Sequence, residues 1–337
     1  NLQSEITMPD RVRITDVSPR DGLQNESGVI PTPDKIRLIE LLAHAGLDEV
    51  EATSFVSPKW VPQLADAEEV IRGVADLTEG VRSVAGAMPD KVTRDERNPG
   101  AYGLPLFSVL VPNEKGMDRA ERARDLGIDL KIALFTAASE TFAQKNTNAS
   151  IAETIERFRP IVPRALARAM PIRLYISCAV ACPFEGPIDP AAVRRVADAF
   201  LALLPDDDAR ARVDIDLGDT IGVADPDDIV ALLTQFPEPM RRQITLHLHD
   251  TFGRAAACIR SALALGVRSF DGSVAGIGGC PYASTPQKRA PGNISTELLV
   301  DTVLDAGYRS SVDRELLAEA GRFARYIVDR AREGLSP

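Results

Sequence analysis

Only three histidines occur in the 337 residues, and two of them, His247 and His249, stand two apart in the run ITLHLHD. If that run is a strand, its period of two places both imidazoles on one face. Two imidazoles joined by a carboxylate make a site for a divalent ion. Asp21, directly after the first β-branched run, is the candidate carboxylate, and the side-chain carbonyl of Asn293 could complete the set. Such an oxygen-rich set suits Mg2+ or Mn2+ better than a sulfur-loving zinc site. The same two histidines would equally suit a hydrogen-bonded core. Arg20 lies beside Asp21, and an interior arginine is costly unless it faces an anion or a developing oxyanion. Its alternative is plain pairing with Asp16, Glu51 or Asp219. Cys280, in GIGGCPYA, is a thiol in a Gly-rich segment that loop motion can carry into a site. Cys178 and Cys182 have no second pair at ligand spacing and read as packing thiols, and His44 reads as helix packing or surface. No GxGxxG turn after a strand and no GxxxxGK[ST] loop is present, which argues against dinucleotide or P-loop chemistry.

Groups this far apart in sequence need a rigid frame. Short β-branched runs at 12–17, 49–55, 107–111, 130–135, 172–178, 213–217, 244–249 and 269–274 alternate with patterns of helical period. The helical patterns are IRLIELLAHAGL, MDRAERARDLG, TIERFRPIVPRALARA, AAVRRVADAFLALL, DDIVALLTQF and RAAACIRSALALG. Eight βα repeats predict an α/β fold, a (β/α)8 TIM barrel over 10–280, with reactive groups at the carboxyl ends of the strands. A doubly wound sheet is the alternative, because periodicity alone cannot close a barrel. Residues 81–105 read as an insertion outside the barrel, with a small strand in VRSVAGAM. Residues 281–337 read as a loop followed by a helical appendage packed on the barrel. Its apolar positions Leu316, Leu317, Phe323 and Ile327 offer a surface that could pair with a second copy as a homodimer.

Composition narrows the function classes. Lys and Arg number 39 against 49 Asp and Glu, a net charge of −10 without a basic run, so neither nucleic acid nor an acidic membrane surface is an expected partner. No apolar stretch reaches the roughly 18 residues of a membrane span. Four scattered cysteines do not make a disulfide scaffold and read as reduced thiols. The opening NLQSEITMPDRV has no signal-peptide core, so the expected address is cytoplasmic.

Six segments together carry a more specific signal: SPRDGLQNE at 18–26, EATSFVSPKWVPQ at 51–63, AASETFAQKN at 137–146, LGDTIG at 217–222, HLHDTFGRA at 247–255 and SVAGIGGCPYA at 273–283. They resemble the 3-hydroxy-3-methylglutaryl-CoA (HMG-CoA) lyase family, within a superfamily of TIM-barrel metallolyases and Claisen-type synthases. The resemblance implies cleavage of an acyl-CoA substrate, HMG-CoA or a close 3-alkyl analogue, to acetyl-CoA and acetoacetate or its analogue. It makes Asp21, His247, His249 and Asn293 the metal ligands, Arg20 the catalytic cation and Cys280 the residue of the signature loop. Glu51, Asp219 and Glu297 match acidic positions near the family's site, and Gln24, Asn25 and Ser54 match its polar lining. His249 is the implied proton mover at the hydroxyl and Cys280 at the enolate carbon. Two departures stand out: Asp216 where the family commonly has Ser, expected to add negative charge near the substrate, and Ala181 where it has Gly. The signature loop is longer, through STPQKRAP, and its Lys288 and Arg289 could meet CoA phosphates or simply be solvated. A synthase condensing acetyl-CoA with a 2-oxo acid, or a non-catalytic acyl-CoA-binding barrel, are the alternatives.

Overall fold

A computed structural model describes residues 10–87, 103–279 and 292–334. Eight strands form where the β-branched runs predict them, every end within two residues of expectation: β1 (Arg13–Asp16), β2 (Glu49–Ser54), β3 (Leu106–Leu110), β4 (Leu130–Ala137), β5 (Ile172–Ser177), β6 (Val213–Asp219), β7 (Ile244–Leu248) and β8 (Ser269–Gly272). All are parallel and close in the order β1-β8-β7-β6-β5-β4-β3-β2, which decides for the barrel over the open sheet. Helices cover the outside: α1 (Thr32–His44), α2 (Ala67–Ala87), α3 (Glu114–Asp125), α4 (Glu140–Thr147), α5 (Ile151–Phe158), α6 (Ile161–Ala167), α7 (Pro190–Leu201), α8 (Asp207–Ala211), α9 (Pro226–Leu233), α10 (Glu238–Arg241), α11 (Ala255–Ala264), α12 (Thr296–Asp305) and α13 (Arg314–Arg332). The aliphatic core lies between strands and helices, where Ile14, Val50, Val109, Ile132, Leu174, Ile215, Leu246 and Phe270 are buried.

Three expectations are corrected. Residues 81–87 are the last turns of α2, not a strand, because the helical pattern begun at Ala67 carries through its valines; residues 88–102 lie outside the described residues. The single pattern TIERFRPIVPRALARA splits into α5 and α6 at Pro160, which lacks the N–H a continuous helix needs. Leu317 and Ile327 are buried in the chain's own core, so the apolar stripe of α13 turns inward toward α1; only Leu316, 38% exposed, faces out among the aliphatic three.

The lumen is the unusual part. Side chains from non-adjacent strands meet across it: Arg13 with Asp214 at 3.0 Å, and Lys131 with both Glu49 and Asp214 at 2.5 Å. Lys131 sits between two carboxylates and Arg13 faces one, which is the condition under which buried charge is tolerated.

Candidate active site

The chain leaves β1 in one tight helical turn, Ser18–Gly22, in which the Val17 carbonyl accepts the N–H groups of Arg20, Asp21 and Gly22. Buried Asp16 fixes this turn. Its carboxylate accepts Ser18 N–H at 2.9 Å, Val274 N–H at 3.0 Å and the Thr296 hydroxyl at 2.6 Å, tying the ends of β1 and β8 to the start of α12. Gly22 is required by proximity, since a Cβ there would lie 2.8 Å from Ile277 and 3.0 Å from Ser273. The turn aims Arg20 and Asp21 into the barrel mouth. Arg20 donates through Nε to Glu51 at 2.6 Å and through Nη1 to Asp21 at 2.8 Å, and its guanidinium lies 5.4 Å from the Tyr175 ring centre. Burial opposes its charge, but Glu51 and then Asp21 outweigh burial and hold Arg20 protonated.

His247 and His249 share the lumen face of β7, their ring centres 5.4 Å apart. One ligand atom each from Asp21, His247 and His249 lies within 4.8 Å of the others. Asn293 joins them by donating to Asp21 at 2.8 Å, and its segment is stitched to the end of β7 through Ile294 N–H to the Leu248 carbonyl at 2.9 Å. Two polar atoms here are buried without a hydrogen-bond partner among the described residues, His249 Nδ1 and Asn293 Oδ1. Two imidazoles, one carboxylate and an amide oxygen, two of these groups carrying an unpartnered buried atom, fit a divalent cation. The protonation states agree. Burial disfavours ionisation of Asp21, yet Arg20 and the two imidazoles hold its carboxyl below the usual range. Burial and then His247 push His249 down to about 4, so its imidazole is neutral at pH 7.

Behind His247 stands a group of residues that the sequence reading, Asp216 apart, missed. Asp271 accepts from His247 Nδ1 at 3.2 Å, and Arg173, fully buried, donates to both Asp271 oxygens at 2.9 and 3.0 Å. Asp216 lies 3.3 Å from the same guanidinium. Asp216, His247 and Asp271 also converge within metal-ligand distance of one another, but Arg173 already supplies the positive charge there. Burial and Asp271 push Asp216 well above the usual carboxyl range, whereas Arg173 and His247 overcome burial to keep Asp271 ionised. Asp216 is thus biased toward its protonated form. Burial, with Glu51 next, likewise keeps the Tyr175 hydroxyl protonated.

A cleft of about 630 Å³ opens over this assembly, walled by Arg20, Asp21, Gln24, Asn25, Ser54, His247 and His249, with Leu110, Phe135 and Tyr175 as apolar wall. The HMGL-like family model matches residues 11–323. The chain is 40% identical over 328 residues to the mitochondrial hydroxymethylglutaryl-CoA lyase of Rattus norvegicus, covering 96% of this chain and 88% of that protein.

The chain belongs to the HMG-CoA lyase family.

Among solved members, the HMG-CoA lyase of Brucella melitensis superposes with a TM-score of 0.77 at 38% identity, over 95% of this chain and 99% of that one. The HMG-CoA lyase of Acinetobacter baumannii, solved in complex with coenzyme A and 3-methylmalate, gives 0.74 at 30%, over 95% and 92%. Carboxyl transferase domains of Rhizobium etli pyruvate carboxylase, 17% identical, share the fold alone. Curated members are named as mitochondrial or cytoplasmic.

Against the family pattern, several residues lie off the cleft wall. Glu51 lies beneath Arg20, with no side-chain exposure. Asp219 spends its carboxylate on Val223 N–H at 3.1 Å and Ala224 N–H at 2.9 Å, capping the loop after β6. Glu297 accepts the N–H of Ala275 at 3.0 Å and so holds the turn after β8, where Ala275 has a φ of 59°. Asp216 does not face the cleft, contrary to expectation, because it is fully buried in the lumen beside Arg173. Gln24 donates to Asp21 at 2.8 Å and Asn25 to the Gly279 carbonyl at 3.4 Å. Cys280, Lys288 and Arg289 lie outside the described residues. The signal for the missed residues was present: Arg173 with Tyr175, and Asp214 with the already noted Asp216, recur at period two inside strands, as lumen residues must.

Proposed function

We propose that the chain cleaves HMG-CoA to acetyl-CoA and acetoacetate with a divalent cation, Mg2+ or Mn2+, held among Asp21, His247, His249 and Asn293. The activity is a carbon–carbon lyase reaction, the one for which its family is named, and the acyl-CoA thioester is the partner. When bound, the cation supplies Lewis acidity that favours loss of the proton from the substrate's tertiary hydroxyl. Neutral His249 has one lone pair, so it is the base available to take that proton while Asp21, His247 and Asn293 would hold the cation. The C2–C3 bond then breaks: the C3 oxygen becomes the ketone of acetoacetate, and the bond's electron pair passes to C2 as the enolate of acetyl-CoA. Arg20, held by Glu51 behind it and Asp21 beside it, stabilises oxyanion charge, typically worth about 3 kcal/mol. Cys280 keeps the role the family resemblance gives it, delivering a proton to the enolate carbon. Glu51 and Asp219 act as positioning groups, the first on Arg20 and the second on the loop after β6. Gln24, Asn25 and Ser54 offer polar contacts to the substrate.

The convergence of Asp21, His247 and His249 beside Arg20 carries this reading. Its test is acetyl-CoA release from HMG-CoA by protein stripped with a chelator and then given Mg2+ or Mn2+. Activity is expected only with the metal restored. No release across metals, thiol reductant and 3-alkyl chain lengths sinks the reading.

A further inference from the structure

We propose that Asp271 is the positioning residue that presents Nε2 of His247 to the cation, with Arg173 as its brace. The inference rests on the metal site proposed above. Each His247 nitrogen has its own neighbour: Nδ1 lies 3.2 Å from Asp271 Oδ2, and Nε2 lies 4.0 Å from Asp21 Oδ2, on the side of His249 and Asn293. Both Asp271 oxygens face the Arg173 guanidinium, which makes Asp271 an acceptor toward the ring, so Nδ1 carries the proton and Nε2 is left with its lone pair. A free imidazole has no such preference and can turn about its bonds. Here the ring is also flanked edge-on by Tyr175, the two planes at 87°.

Asp271 itself cannot turn away. Arg173 Nη1 reaches both of its oxygens, Arg173 Nη2 donates to Thr15 at 2.9 Å, and Asp271 is only 2% exposed. The brace thus extends from β1 and β5 to β8 and, through Asp271, to β7. Arg173 also explains why the Asp216, Asp271 and His247 convergence serves as a support: its guanidinium occupies the position of counter-charge that a second ion would need. An amide at 271 has one accepting oxygen where the carboxylate has two, so Arg173 and His247 compete for it. The amide nitrogen can then donate to Nδ1, which moves the ring proton to Nε2, the atom the cation needs.

The experiment is Mn2+ titration of metal-free protein, followed by electron paramagnetic resonance, together with the 15N shifts of the histidine ring. Wild type is expected to bind Mn2+ and, in the metal-free neutral form, to carry the His247 proton on Nδ1. Asp271→Asn is expected to weaken Mn2+ binding about 10- to 100-fold and to shift ring protonation toward Nε2. Undiminished Mn2+ affinity in Asp271→Asn overturns this inference alone, whereas wild type that fails to bind Mn2+ overturns the metal site itself. Should Asp271→Asn not fold, the wild-type spectrum still decides, since a His247 proton found on Nε2 overturns the assignment.

Discussion

Replacing Arg20 with glutamine separates two jobs that one guanidinium performs. Glu51 has no side-chain exposure and Arg20 only 8%, and the pair is joined through Nε at 2.6 Å and Nη2 at 2.5 Å. In Arg20→Gln, Glu51 keeps the Tyr175 hydroxyl, which donates to it at 3.2 Å, and must hold a buried charge or take up a proton. Breaking a buried pair from one side costs about 3 to 5 kcal/mol, and two charge-assisted bonds at roughly 1.5 to 3 kcal/mol each give an overlapping range of about 3 to 6 kcal/mol. Burial, opposed by Arg20, already raises Glu51 above its ordinary value; without Arg20 it rises further. A carboxyl raised in the folded state contributes stability at low pH that is lost as pH rises through the folded value, so the gap between wild type and variant must widen from pH 5 to pH 8. Urea midpoints read this directly. The double variant Arg20→Gln/Glu51→Gln removes the stranded charge and should recover most of the stability, while kcat stays about 10²- to 10³-fold down because the oxyanion contact is still missing. Recovery of turnover along with stability in the double variant would refute the catalytic part of the argument.

His247→Ala should abolish turnover and Mn2+ binding while leaving the circular dichroism spectrum native; wild-type activity in that variant removes the ligand role. Asp219 is pushed up to about 6, chiefly by burial, from an ordinary 3.8, so it adds stability at low pH that fades as pH rises from about 4 to about 6. Asp219→Asn should flatten that part of the urea-midpoint profile, and an unchanged profile argues against the assignment. At Gly28 a Cβ would run into the Ala331 carbonyl at the end of α13. Gly28→Ala should therefore cost about 1 to 3 kcal/mol through overpacking, read as a lower Tm; no loss means that α13 yields freely.

Much of the frame was legible because each strand announces itself through β-branched residues within a few positions of its true ends. The histidine pair was legible for a simpler reason: period two in a strand settles that both rings share a face, whatever the rest of the fold does. Asp21 was placed by its position just after β1, but nothing in the local text shows that Asp16 would knit that turn to β8 and α12. Helix α2 escaped notice because Gly73 and Gly80 interrupt it and its valine-rich end mimics a strand. Arg173 and Asp271 escaped because pairing across a lumen depends on which strands face each other, and that is known only once the cylinder closes.

The charged lumen has a consequence for how such a chain can change. An aliphatic interior drifts by small swaps of volume, each tolerable alone. Here Arg13, Lys131 and Arg173 each answer to acids on other strands, so lone exchanges are penalised and successful ones arrive in matched sets. Asp216 differs, since burial and Asp271 bias it toward its protonated form, so replacement there by an uncharged residue disturbs the electrostatic pattern least among the described lumen acids.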